Sequence, residues 1–88
     1  MKHYVIINDW ASDYENGVTV FGVVHSLNDA KVIFKQHIHD AKHIADEHEY
    51  EIYEDTDFMF DAGEEGYYCR NHEKLYIQKV ESDNVKGW

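Results

Sequence analysis

The sequence predicts an α+β fold, an antiparallel sheet of ββαββ(β) order with one long helix packed on one face. Three observations carry that reading. Short β-branched and aromatic runs flank residues 26–48, a helical apolar period fills that interval, and turn residues separate the runs. A lone helix covers only one face of a sheet, so the other face is expected to stay uncovered.

Tyr4-Val5-Ile6-Ile7 reads as the first strand. Val18-Thr19-Val20-Phe21-Gly22-Val23-Val24-His25 reads as the second, apolar on both faces as suits the centre of a sheet, with Gly22 marking a bulge or a close contact. Asp9 to Gly17 is then a longish hairpin loop holding Trp10 and Tyr14 and closing on Asn16-Gly17, a turn signature.

Ser26 can cap a helix, with Asp29 at the capping-box position. The helix is predicted from Leu27 to about His48. Its buried stripe is Leu27, Ala30, Phe34, Ile38, Ala41 and Ala45, with Ile33 and Ile44 on one flank. Tyr50-Glu51-Ile52-Tyr53 alternates as a strand does, and Phe58-Met59-Phe60 is a further short apolar segment. Asp61 to Gly66 reads as a turn. Tyr67–Arg70 and Leu75–Val80 are expected as the last strands, joined through Asn71-His72-Glu73-Lys74. The whole is read as a single domain over residues 1–82 with a loosely held tail at 83–88, where a terminal Trp88 could dock.

The run Tyr50-Glu51-Ile52-Tyr53-Glu54-Asp55, then Phe60-Asp61-Ala62-Gly63-Glu64-Glu65-Gly66-Tyr67-Tyr68, then Asn71-His72 and Leu75-Tyr76-Ile77, resembles a family of small uncharacterised proteins. These belong to low-GC Gram-positive bacteria and their phages and mobile elements. Phe21-Gly22-Val23 leading into Ser26 fits the same pattern. The resemblance implies the fold order above and brings no established activity or functional residues.

Composition narrows the function classes. Hydrophobic residues are 43% of the 88 and aromatics 15%, enough for a core in a short chain. Cys69 is the only cysteine, so no internal disulfide is available and a reducing, cytoplasmic setting is expected. No apolar run approaches the ~18 residues of a membrane span. The formal net charge is −10, and its placement matters more than its size. From His43 to Cys69 there is no Lys or Arg, but ten carboxylates: Asp46, Glu47, Glu49, Glu51, Glu54, Asp55, Asp57, Asp61, Glu64 and Glu65. Direct binding to nucleic-acid phosphates or anionic lipid is disfavoured, since both require a basic surface, and a basic protein partner is favoured.

No catalytic apparatus is legible. There is no Gly-rich phosphate loop, nucleophile elbow or dinucleotide fingerprint, and no cofactor is expected. Cys69 and His72 are not aimed together by their spacing, and Cys69 reads as a small buried side chain. His39, His43 and Glu47 could share a helix face as metal ligands. The intervening Asp40-Ala41-Lys42 lacks the general-base Glu of zinc hydrolases, and a solvated helix face is preferred. Asp55 to Asp61 has the acid spacing of a calcium loop, but Met59 stands at a ligand position and Phe60 where the sharp turn needs Gly. His37 and His48 are expected at the sheet rim, hydrogen-bonded rather than catalytic. The seven histidines make the surface charge pH-sensitive.

The acidic stretch remains. Glu51, Glu54, Asp55, Asp57, Asp61, Glu64 and Glu65, with Tyr53 and Tyr67 as aromatic anchors, form the expected partner-binding surface. It suits an inhibitor or nucleic-acid-mimicking regulator of a basic protein. The alternatives are a homodimer through the uncovered sheet face, and an adventitious metal site without enzymatic role.

Overall fold

The computed structural model of the protein describes residues 2–64 and 71–81. The elements follow the predicted order: β1 (Lys2–Ala11), β2 (Asn16–Val24), α1 (Leu27–Glu47), β3 (Glu51–Asp55), β4 (Met59–Gly63) and β5 (His72–Glu81). All neighbouring strands are antiparallel, in the spatial order β2-β1-β5-β4-β3, and α1 lies across one face. The α+β fold is as predicted.

The helix begins where the cap dictates. Ser26 is extended (φ −127°, ψ 148°) and its hydroxyl accepts from the Asp29 backbone N–H at 3.1 Å. Ala30, Phe34, Ala41 and Ala45 are buried from the predicted stripe, while Leu27 and Ile38 are only partly covered. They pack on Ile6, Phe60, Ala62 and Leu75; of these sheet residues, Ile6, Phe60 and Leu75 are the largest fully buried side chains. Small residues on the helix let it lie close to the sheet, so the core is thin and rests on a few large side chains.

The helix ends without glycine. His48 caps the C-terminus, and Glu49 turns into the left-handed region at φ 56°. The Glu49 N–H donates to the Asp46 carbonyl at 3.2 Å and the Tyr50 N–H to the Ala45 carbonyl at 2.8 Å. This is the Schellman pattern, with glutamate where glycine is usual.

Several strand boundaries correct the sequence reading. Trp10 lies in β1 and Asn16-Gly17 in β2, paired Ala11 to Asn16, so the loop is only Ser12–Glu15, closed by the Ser12 N–H on the Glu15 carbonyl at 2.7 Å. Gly17 serves close approach rather than a turn, since a Cβ there would meet the Trp10 ring at 3.1 Å. β2 is an edge strand rather than a central one. Its second apolar face is exposed, with Val18, Val20 and Val23 at 66, 55 and 58% exposure. Gly22 is beside a bulge, where Phe21 is the extra residue between the Ile6–Gly22 and Ile7–Val20 pairs; a Cβ on Gly22 would meet Ile33 Cδ1 at 3.0 Å.

In the second half, Asp61 to Gly63 belong to β4 and His72 to Lys74 to β5, not to a turn and a linker. β3 and β4 join through a tight turn in which the Thr56 hydroxyl accepts from the Phe58 and Met59 N–H groups at 3.2 and 3.1 Å. The expected strand at Tyr67–Arg70, Cys69, and the 83–88 tail with Trp88 lie outside the described residues.

Candidate functional site, an acidic sheet edge

β3 is the second edge strand, and all five of its residues are exposed. Tyr53 is its bulged residue, between the Ile52–Ala62 and Glu54–Asp61 pairs. The pairing puts Glu54 and Asp61 side by side on the uncovered face, with Lys74 next across β4–β5 and Asp9 beyond it. The Asp61 Oδ1 is buried and meets no donor among the described residues. Tyr53 donates its hydroxyl to the Glu64 carbonyl at 3.0 Å, fastening the edge strand to the end of β4.

The helix end brings more negative charge to the same edge. Asp46 and Glu47 occupy the last turn, which carries no basic residue, and Glu49 follows at once. Between them and β3 is an open cleft of about 440 Å³, lined by Ala45, Tyr50, Ile52 and Phe60 and rimmed by Lys42, Asp46, Glu49 and Asp55. Ile52 is 59% exposed there. The Tyr50 phenol is held above its ordinary pKa by burial first and then by the carboxylates of Glu64, Glu73 and Asp13. A negative field thus reaches the cleft.

The predicted residues divide. Glu51, Glu54, Asp61 and Glu64 gather on the β3–β4 edge. Asp57 instead lines a second cleft with Lys31, Lys35 and Lys42 of α1, and Asp55 stands between the two clefts, its Oδ2 3.3 Å from the Lys42 Nζ. Those lysines come from outside the acidic stretch, and only the packing of the helix brings them to it. Glu65 and Tyr67 lie outside the described residues. Asp46 and Glu49, in the acidic stretch but absent from the expected surface, join it through the abrupt helix end. The exposed Ile52 was equally unforeseen; its apolar character in a run of acids was the available signal.

His39, His43 and Glu47 are exposed on the solvent face, with His43 Nε2 3.7 Å from Glu47 Oε1. Among the described residues no three His, Cys, Asp or Glu side chains are grouped to hold a metal ion. His37 and His48 are at the rim, but through ring stacking: His37 on Phe21 at 3.7 Å between centroids, His48 on Tyr50 at 5.3 Å. No helix of the described residues is long and apolar enough to cross a membrane. No protein-family model, curated protein or solved structure matches the chain.

Proposed function

We propose that the protein is a non-catalytic binding module whose acidic edge engages a basic protein. The observation that carries this reading is the helix end. Carboxylates at Asp46 and Glu47 oppose the negative pole of α1, and Glu49 takes a left-handed conformation that favours glycine. Charge needed only for solubility could sit at any exposed position without these costs. Local rules broken together in one place are the mark of a site shaped for something other than stability.

The cleft supplies the other half. Ile52 and Tyr50 offer an apolar seat inside a rim in which Asp46, Glu49 and Asp55 outnumber Lys42, suited to a segment with an apolar anchor flanked by Lys or Arg. Proteins that handle nucleic acid carry such basic surfaces, so this edge suits an inhibitor or regulator that places carboxylates where phosphates would sit. Lysate passed over the immobilised protein and eluted with stepped salt tests the reading. A basic protein released at moderate salt supports it; no retention at low salt reduces the charge to a solubility device.

One observation favours a second reading, self-association through the uncovered sheet face. Met59, Tyr76, Ile7 and Val20 form a continuous cross-strand row there, beside the exposed Val18 and Val23. Dimer-sized scattering that persists in high salt would support it, since apolar burial is hardly screened.

A further inference from the structure

On the opposite flank of α1 from the acidic edge, a cavity of about 350 Å³ opens between the helix and the β1–β2–β5 side of the sheet. Its lining includes Asn8, Phe21, His37, Asp40, Ile44 and Glu73, and neither Lys nor Arg is among the lining residues. Glu73 is only 7% exposed, yet its Oε2 meets no donor among the described residues, and neither does the buried Asn8 Oδ1. Asn8 pairs with Leu75, two residues along β5 from Glu73, so the two side chains stand on the same face of neighbouring strands and line one cavity with two acceptors. A buried acceptor without a donor costs about 1–3 kcal/mol, more when charged, so a pair of them in one cavity calls for a donor-rich guest.

We infer that this cavity is a binding site for a guanidinium group, held by Glu73 and Asn8 against the wall of Phe21 and His37. The chemistry selects guanidinium over ammonium. Two acceptors on one cavity wall suit a planar group with several N–H donors, whose flat faces tolerate the apolar walls of Phe21, Ile44 and Leu75. Guanidinium is also the more weakly hydrated cation and gives up less on entering. Asp40, exposed on the outer part of the lining, adds a second negative charge. The volume far exceeds the ~30 Å³ share of a single water. The cavity shares no lining residue with the acidic cleft, and the inference does not depend on the function proposed for that cleft.

The test is an NMR titration of the full chain with Nα-acetyl-arginine amide at constant ionic strength, reading the Asn8 side-chain amide. Nα-acetyl-lysine amide is the control. The expected result is a saturable Asn8 shift, weaker for lysine and at least about tenfold weaker in Glu73→Gln, which keeps the shape and removes the charge. A peptide with one arginine flanked by glycines separates the sources. Affinity equal to the amide assigns the pocket to a small guanidinium compound, and tighter binding assigns it to an arginine of a partner. No Asn8 shift in the wild type, an unchanged shift in Glu73→Gln, or equal response to lysine would overturn the inference.

Discussion

The Tyr50 N–H reaches back across the helix end to the Ala45 carbonyl at 2.8 Å, and it does so because Glu49 between them is left-handed at φ 56°. That turn directs the chain from the helix into the β3 edge and sets Ala45 and Tyr50 in the lining of one cleft. Stability and placement of charge are in conflict at this one residue.

Replacing Glu49 by Gly should therefore stabilise the protein by about 1 kcal/mol, by relieving the left-handed strain and removing a carboxylate from the negative pole of the helix. Urea denaturation measures it. A loss of stability would mean that Glu49 makes a compensating contact. If the acidic edge binds a basic partner, the same variant should bind it more weakly while being more stable.

Glu73 leads to a pH prediction. Burial raises its pKa, the largest effect, against the opposing influence of Asn8, His72 and His48; His37 and Asp40 line the same cavity. A carboxyl raised on folding holds its proton more tightly in the folded state than in the unfolded one. Its contribution is most favourable below the unfolded value near 4.5 and is lost as pH rises through the folded value. Glu73→Gln mimics the protonated form. It should melt close to wild type near pH 4 and above wild type at pH 7, by roughly 1 kcal/mol. Thermal melts of the two proteins across that range give the difference directly and cancel the shared effect of the other carboxylates. A variant less stable than wild type at pH 7 would contradict the prediction.

Gly22 and Ile33 should prove energetically coupled. A Cβ on Gly22 would come to 3.0 Å from Ile33 Cδ1, so Gly22→Ala is expected to cost about 1 kcal/mol. Ile33→Val removes the crowding atom, and the double variant should lose less than the sum of the two single ones. Additive losses in a double-mutant cycle would show that the crowding is relieved elsewhere.

Phe60 anchors both the core and the floor of the acidic cleft, and is fully buried. Phe60→Ala should cost about 3–5 kcal/mol, a large fraction of what a domain of this size possesses. A cost near 1 kcal/mol, read by denaturation, would mean that the helix settles into the space left behind.

What the sequence made legible was local. The Ser26 cap and the Ala30–Phe34–Ala41–Ala45 spacing define the helix without help from distant residues, and the α+β order follows. Pairing was harder to read. Asn16-Gly17 has the chemistry of a turn, but Gly17 is required by the Trp10 ring across the strand pair, a fact visible only once the register is known. β2 resembled a central strand because exposed valines and buried ones are the same letters. The acidic edge was half legible. The stretch of carboxylates stood out, whereas the lysines of α1 that meet Asp55 and Asp57 come from earlier in the chain. Glu73 was hidden inside a presumed linker, and only the β1–β5 and β4–β5 pairings bury it beside Asn8.

The central claim, that charge is concentrated at the β3 edge for binding rather than spread for solubility, is tested most directly with two variants of equal net charge. One reverses Glu51 and Glu54 to Lys; the other reverses Asp29 and Glu81, which are distant from that edge. Both raise the formal charge of −10 by four. Each is immobilised beside the wild type and challenged with the basic protein that the wild type retains, and dissociation constants are measured at one ionic strength. The edge variant is expected to lose at least about tenfold in affinity and the distant one to change by less than about threefold. Equal losses in the two, or none in the edge variant, would contradict the claim.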